Sequence, residues 1–207
     1  MIIVLRNAVA YAEGDCLSVE AEHGRWRLCV SGRRASLEAE LAEAEFPIDP
    51  RVSAHPAEAL EVLLSVLAAA QDRSWRGGGQ VKIAVAGPPA SGKSTFLRRL
   101  LGLPPPEGPT AAPERHRLLL MGAEATAADL PGGWPAAGAD CTVAVVPLDM
   151  YLEPPHVSGR VVLVATRPPD RGLLALYADA LRPAAVHVLD PRTAPRWRLA
   201  AALADCI

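Results

Sequence analysis

The octet Gly87-Pro88-Pro89-Ala90-Ser91-Gly92-Lys93-Ser94 satisfies G-x-x-x-x-G-K-[ST] at every fixed position, and it constrains the fold more than any other stretch of this 207-residue chain. The pattern carries weight only where a strand runs into it and a helix leaves it. Both conditions are met: VKIAVA, residues 81–86, reads as a buried strand, and Ser94–Leu101 reads as a helix ending at Gly102. In that setting the glycines let the backbone curl so that successive N–H groups point inward. The helix N-terminus adds its partial positive charge, which makes a cradle for phosphate. Gly87, Ala90, Ser91 and Gly92 would form the cradle, Lys93 would contact the β- and γ-phosphates, the Ser94 hydroxyl would be a magnesium ligand, and Thr95 would bond the α-phosphate. Lys93 is one of only two lysines, the other being Lys82, in a chain whose positive charge is otherwise arginine. A compact ammonium can reach between phosphates where a planar guanidinium cannot, and Lys93 stands where that is required.

The triplet Gly77-Gly78-Gly79 divides the chain. After it, strand readings at Val81–Ala86, Arg117–Met121, Ala123–Ala128, Thr142–Val146, Arg160–Ala165 and Ala185–Leu189 alternate with helix readings near Ser94–Leu101, Gly172–Leu181 and Ala194–Asp205. That alternation implies an α/β domain over residues 80–207, a P-loop NTPase three-layer sandwich with a mostly parallel sheet. The prolines gather between these elements, in the loops that build sites beyond strand ends. Pro147–Gly159 is too short and too rich in proline and glycine to hold a full crossover helix. Before the triplet, residues 1–76 read as a small α+β module: strands at Ile2–Leu5, Leu17–Glu20 and Arg25–Val30, then helices at Arg34–Glu45 and Pro56–Asp72.

Downstream of the octet, HRLLLMGAEATAADLPGG, residues 116–133, resembles the β-hairpin of small GTPases that runs into an Asp-x-x-Gly motif. Asp129-Leu130-Pro131-Gly132 matches the Asp-x-Pro-Gly form of the Era-type and dynamin-like GTPases, and the resemblance extends over about Gln80–Ile207. It implies that Asp129 reaches magnesium through water, that the Gly132 N–H senses the γ-phosphate, and that Thr110 is the switch threonine that also binds magnesium. Lys93, Thr110, Asp129 and Gly132 would then be the catalytic set, with Mg2+ and GTP or ATP as cofactors. The motif that reads guanine in this family, Asn/Thr-Lys-x-Asp, is represented by Thr166, Arg167 and Asp170 in VVLVATRPPD, with the aspartate one position late. The choice between GTP and ATP therefore stays open. Gly133 occupies the place of the water-orienting glutamine of Ras-like enzymes, which implies slow turnover. Arg115 and Arg117 are candidate charge donors near the switch region.

Two other classes fit part of the pattern. GPPASGKST and VAVVPLDMYL resemble uridine-kinase-like phosphotransferases, in which Asp149 would be the base for an acceptor hydroxyl. A nucleotide-dependent adaptor would dock a protein partner through Met1–Asp72 without significant turnover. A formal net charge of -2 gives no case for nucleic acid or an acidic membrane as the main partner. With no signal-peptide pattern and no apolar run of bilayer length, the expectation is a cytoplasmic protein. Cys16, Cys29, Cys141 and Cys206 lack metal-ligand spacing and read as buried free thiols.

Overall fold

The computed structural model describes residues 2–6, 8–13, 16–22, 24–31, 34–41, 80–109, 112–120, 123–131, 134, 138–166 and 170–207. Its strands are β1 (Ile2–Leu5), β2 (Ala8–Glu13), β3 (Cys16–Ala21), β4 (Gly24–Ser31), β5 (Arg34–Leu41), β6 (Val81–Ala86), β7 (Glu114–Leu120), β8 (Ala123–Asp129), β9 (Cys141–Pro147), β10 (Arg160–Thr166) and β11 (Ala185–Val188). Three helices accompany them among the described residues: α1 (Lys93–Leu100), α2 (Arg171–Leu181) and α3 (Arg196–Ala204). All eleven strands join one sheet in the order β11-β10-β9-β6-β8-β7-β1-β2-β3-β4-β5.

The sheet has two characters. From β11 to β8 every neighbouring pair is parallel. Strands β9 and β10 are buried along almost their whole length and read CTVAVVP and RVVLVAT, as expected of strands covered on both faces. Strand β7 folds back antiparallel onto β8, as the hairpin reading anticipated. Beyond β7 the sheet continues as an antiparallel meander, β1 to β5. The junction is a parallel pair in which Ile3 faces Leu119 and Val4 faces Leu120, so the N-terminal strands extend the sheet.

Period-two alternation sends each strand's apolar side chains to defined faces. On one face Ile83, Val85, Leu118, Leu120, Val143, Val145, Val162 and Val164 pack with Phe96, Leu97 and Leu100 of α1 and with Leu199 and Leu203 of α3. On the other, Ala144, Val146, Val161 and Leu163 pack with Tyr177 and Leu181 of α2. Helix α1 ends at Gly102, whose φ of +70° suits glycine, while Leu103 N–H closes back on the Arg98 carbonyl at 2.8 Å. Arg196 on α3 fastens the meander to the α/β half. Its backbone N–H donates to Glu20, its guanidinium donates to the Leu100 carbonyl, and it lies 4.2 Å from the Tyr11 ring centroid.

Three readings of the sequence change here. Arg34–Leu41, expected as the start of a helix, is strand β5, zipped onto β4 from Arg34 opposite Ser31 to Leu41 opposite Gly24. RASLEAEL contains good helix formers, yet its apolar residues alternate, and the neighbouring strand decides the outcome. Strand β2 was not anticipated, because three of its six residues are alanine. Cys141, on the first residue of β9, and Cys206, just past α3, form a disulfide although 65 residues separate them. Cys16 is disulfide-bonded too, and its partner in the cross-strand register is Cys29. Among the described residues no cysteine is free, which overturns the free-thiol reading. The Pro56–Asp72 helix expectation lies outside the described residues. As anticipated, residues 148–159 join β9 to parallel β10 without a helix. No described helix is long and apolar enough to cross a membrane.

Candidate functional site

Strand β6 lies between β9 and β8, and the chain leaves it to build strands on both sides. In an open α/β sheet such a reversal of strand order opens a crevice at the carboxyl ends of the strands. The octet occupies that position, between the end of β6 and the start of α1. Its backbone takes three left-handed conformations, at Gly87 (φ +144°), Ala90 (φ +59°) and Gly92 (φ +95°). Ala90 pays a steric cost for its conformation, of the kind retained where a loop must hold a set shape. Gly87 has a different constraint: a Cβ there would overlap the Val145 carbonyl oxygen on β9, so only glycine lets the loop lie this close to the sheet.

A cavity of about 470 Å³ opens above the loop, bounded by Ala90, Gly92–Thr95, Pro106, Gly108, Pro109, Pro131 and Arg192. Lys93 forms part of its floor. Its side chain is buried, and Nζ donates to the Pro88 carbonyl at 2.9 Å. An ammonium has further protons to give, so one internal hydrogen bond does not satisfy it. Burial pushes its pKa below 10.5, and the neighbouring Asp129 carboxylate opposes that shift. The Ser91 hydroxyl is also buried, with no hydrogen-bond partner among the described residues. Buried polar groups in that state mark a place where a ligand can supply the missing partner.

Ser94 and Asp129 meet directly. Ser94 is the second residue of α1, Asp129 ends β8 and is buried, and the Ser94 hydroxyl donates to Asp129 Oδ2 at 2.5 Å. A hydroxyl and a carboxylate are hard oxygen donors of the kind magnesium takes, and Ser94 also lines the cavity. The donor set fits that ion. Thr95 follows on the same turn and lines the cavity. Arg98, one turn on, holds both sides of the loop expected to carry the switch threonine: Nε donates to the Pro104 carbonyl at 2.8 Å, and Nη1 pairs with Glu114 at 3.0 Å. Thr110, Gly132 and Arg167 lie outside the described residues.

The remaining base-reading candidates have other partners. Thr166 is buried, and its hydroxyl lies 3.1 Å from the Ser91 carbonyl and 3.2 Å from the Val146 carbonyl, beneath the loop. Asp170 is the N-cap of α2, its Oδ1 accepting from Gly172 N–H at 2.8 Å and Leu173 N–H at 3.1 Å. Asp149 is exposed, just past the end of β9. Arg115 and Arg117 line a different cavity, since Leu118 and Leu120 of the same strand occupy the α1 face and alternation turns the arginines to the opposite one. Arg192 was not anticipated from sequence. It sits in the turn after β11, its N–H fixed by Asp190 at 2.8 Å, and nothing in DPRTAP signals that this turn abuts the octet.

No protein-family profile matches the sequence, and neither does any curated protein. Among solved structures, the chain is similar to Aquifex aeolicus Era, in a tyrosine-to-alanine variant bound to GDP·AlF4-, with 16% identity and a TM-score of 0.42 over 57% of this chain. The match spans 53% of that protein, about half its length.

Proposed function

We propose that this chain binds a magnesium nucleoside triphosphate, with GTP as the nucleotide, hydrolyses it slowly and acts as a nucleotide-dependent switch. The reading rests on one observation above the others: a buried lysine ammonium in the floor of the cavity above the octet, with an internal hydrogen bond to a single carbonyl. Lys93 neutralises charge on the β- and γ-phosphate oxygens, and the inward N–H groups of the loop hold the α- and β-phosphates in line for attack. Ser94, Thr110 and Asp129 would hold the magnesium ion, which supplies further neutralisation of the triphosphate. Thr95 bonds the α-phosphate. Asp129, at the end of β8, is followed in the sequence by Leu130-Pro131-Gly132, so the glycine that would respond to the γ-phosphate comes three residues after the carboxylate. Gly133, which has no side chain to orient water, keeps hydrolysis slow. The N-terminal region, residues 1–76, would present the switch to a protein partner.

Titration of the purified protein with GTP, GDP, ATP and ADP in magnesium, alongside Lys93→Ala, tests this. We expect the triphosphate to bind the wild type and to lose most of its affinity in Lys93→Ala. Absence of nucleotide binding, or equal binding by the variant, would refute the proposal. A clear preference for ATP, with phosphate transferred to a hydroxyl acceptor and lost in Asp149→Asn, would replace the switch with a phosphotransferase.

A further inference from the structure

On the sheet face opposite α1, strands β6, β8 and β7 form a second concavity, of about 640 Å³. The register builds it in two rows. Thr126 on β8 stands opposite Lys82 on β6 and opposite Arg117 on β7, while Ala128 stands opposite Ala84 and Arg115. Small side chains thus make the floor, and three cations on two different strands make the walls. Cross-strand neighbours sit about 5 Å apart at Cβ, so Lys82 and Arg117 flank the Thr126 hydroxyl within reach of one ligand. Among the described residues none of the three cations has an ion-pair partner, and all three are exposed. Of the carboxylates nearby, Glu114 pairs with Arg98 on the other face and Asp140 accepts from the Lys82 backbone N–H, while Glu124 shares the face two residues before Thr126 but does not line the concavity. Among the described residues no helix lies over this part of the face, since α1 and α3 pack on the other one and α2 packs over β9 and β10.

Like charges grouped on one sheet face repel each other, and a chain that keeps three of them around a concave, hydroxyl-centred floor gains most from a compact anion that draws them together. Guanidinium forks suit phosphate oxygens, the lysine adds a point charge, and the volume matches that of small-molecule sites. We propose that this concavity is a second ligand site, for a small molecule carrying two or more phosphate groups, separate from the octet on the opposite face. The two cavities have no lining residue in common, yet Ala128 and Leu130 of the second flank Asp129, which accepts from Ser94 at the first.

Inorganic tripolyphosphate is the probe, titrated calorimetrically into Lys93→Ala at physiological salt so that binding at the octet is suppressed. We expect saturable binding that falls by roughly tenfold in Arg117→Gln and further in the Arg115→Gln, Arg117→Gln double variant, the scale of one charge-assisted contact per guanidinium. All three side chains are exposed, so thermal unfolding without ligand should be unchanged or slightly higher in these variants as repulsion is relieved. No binding to Lys93→Ala, or binding indifferent to the arginine substitutions, would overturn the proposal. So would tighter binding of an acidic peptide than of tripolyphosphate, which would make the face a protein-docking surface. If the double variant fails to fold, Lys82→Gln with Thr126→Val in the same titration decides the matter, with lost affinity supporting the site and unchanged affinity removing it.

Discussion

Replacing Thr166 by valine separates two roles that the same residue could play. Sequence placed it in the base-reading motif, whereas its hydroxyl lies 3.1 Å from the Ser91 carbonyl and 3.2 Å from the Val146 carbonyl, with the residue buried. A hydroxyl has one proton, so it donates to one of these carbonyls at a time. Valine keeps the shape, removes that hydrogen bond and leaves a buried carbonyl without its donor. The lost bond is worth about 1 kcal/mol net, and desolvation of the orphaned acceptor brings the total to about 1–2.5 kcal/mol. For a chain of this size each kcal/mol lowers Tm by about 2–4 °C, so a fall of roughly 2–10 °C is expected in thermal unfolding. Because Ser91 belongs to the phosphate loop, the loosened loop should weaken GTP and ATP by the same factor, read by calorimetric titration of both. Thr166→Ser, which keeps the hydroxyl, should recover most of each loss. An unchanged Tm, or a shift in the GTP-to-ATP affinity ratio, would refute the assignment of Thr166 to the loop and return it to base recognition.

Other substitutions have equally definite outcomes. Gly87→Ala must place a Cβ against the Val145 carbonyl at a φ of +144°, so we expect a loss of at least about 2 kcal/mol in denaturant unfolding together with nucleotide affinity. Burial lowers the Lys93 pKa below 10.5, so the empty protein should gain stability as pH rises from that lowered value toward 10.5, where the unfolded lysine still holds its proton and the folded one does not. Bound phosphate would raise the same pKa, so affinity should fall across that window; a flat affinity profile would remove Lys93 from phosphate contact. Asp170→Ala removes a cap that accepts two N–H groups and should cost about 1 kcal/mol of stability without altering base preference. Converting Cys141 and Cys206 to alanine opens a loop spanning 65 residues and should lower unfolding free energy by about 4 kcal/mol on the chain-entropy account, measured against the intact protein in urea.

The parts of this fold that sequence predicted are the parts that local chemistry specifies. The β6 boundaries follow from an apolar run ending at a glycine, and the loop and α1 follow from the octet itself. The helix-free link between β9 and β10 was legible because its length and its prolines exclude a crossover helix. What was missed depends on partners distant in sequence. Strand β5 is made of residues that favour helices, and pairing with β4 overrides them. The disulfide between Cys141 and Cys206 exists because α3 returns the chain to the start of β9. Thr166 and Asp170 fall close to a motif, but the hydrogen bonds they make, to the Ser91 carbonyl and at the N-terminus of α2, have no signature in that motif. Arg192 reaches the cavity through the parallel pairing of β11 with β10, a long-range arrangement with no local signature.

The parallel pair between β1 and β7 also orders events during synthesis. Ile3 and Val4 find their partners only when Leu119 and Leu120 leave the ribosome, after more than half of the chain has been made. Until then the meander can close its own hairpins, but IIVL remains an apolar edge with open backbone groups on one side. Pairing over such a span is slow, because the closure entropy precedes any reward from contact. A nascent chain stalled before Glu114 therefore presents a ready template for another strand, and aggregation of such truncated products, relieved by a charged substitution at Ile3, would reveal how long that edge stays exposed.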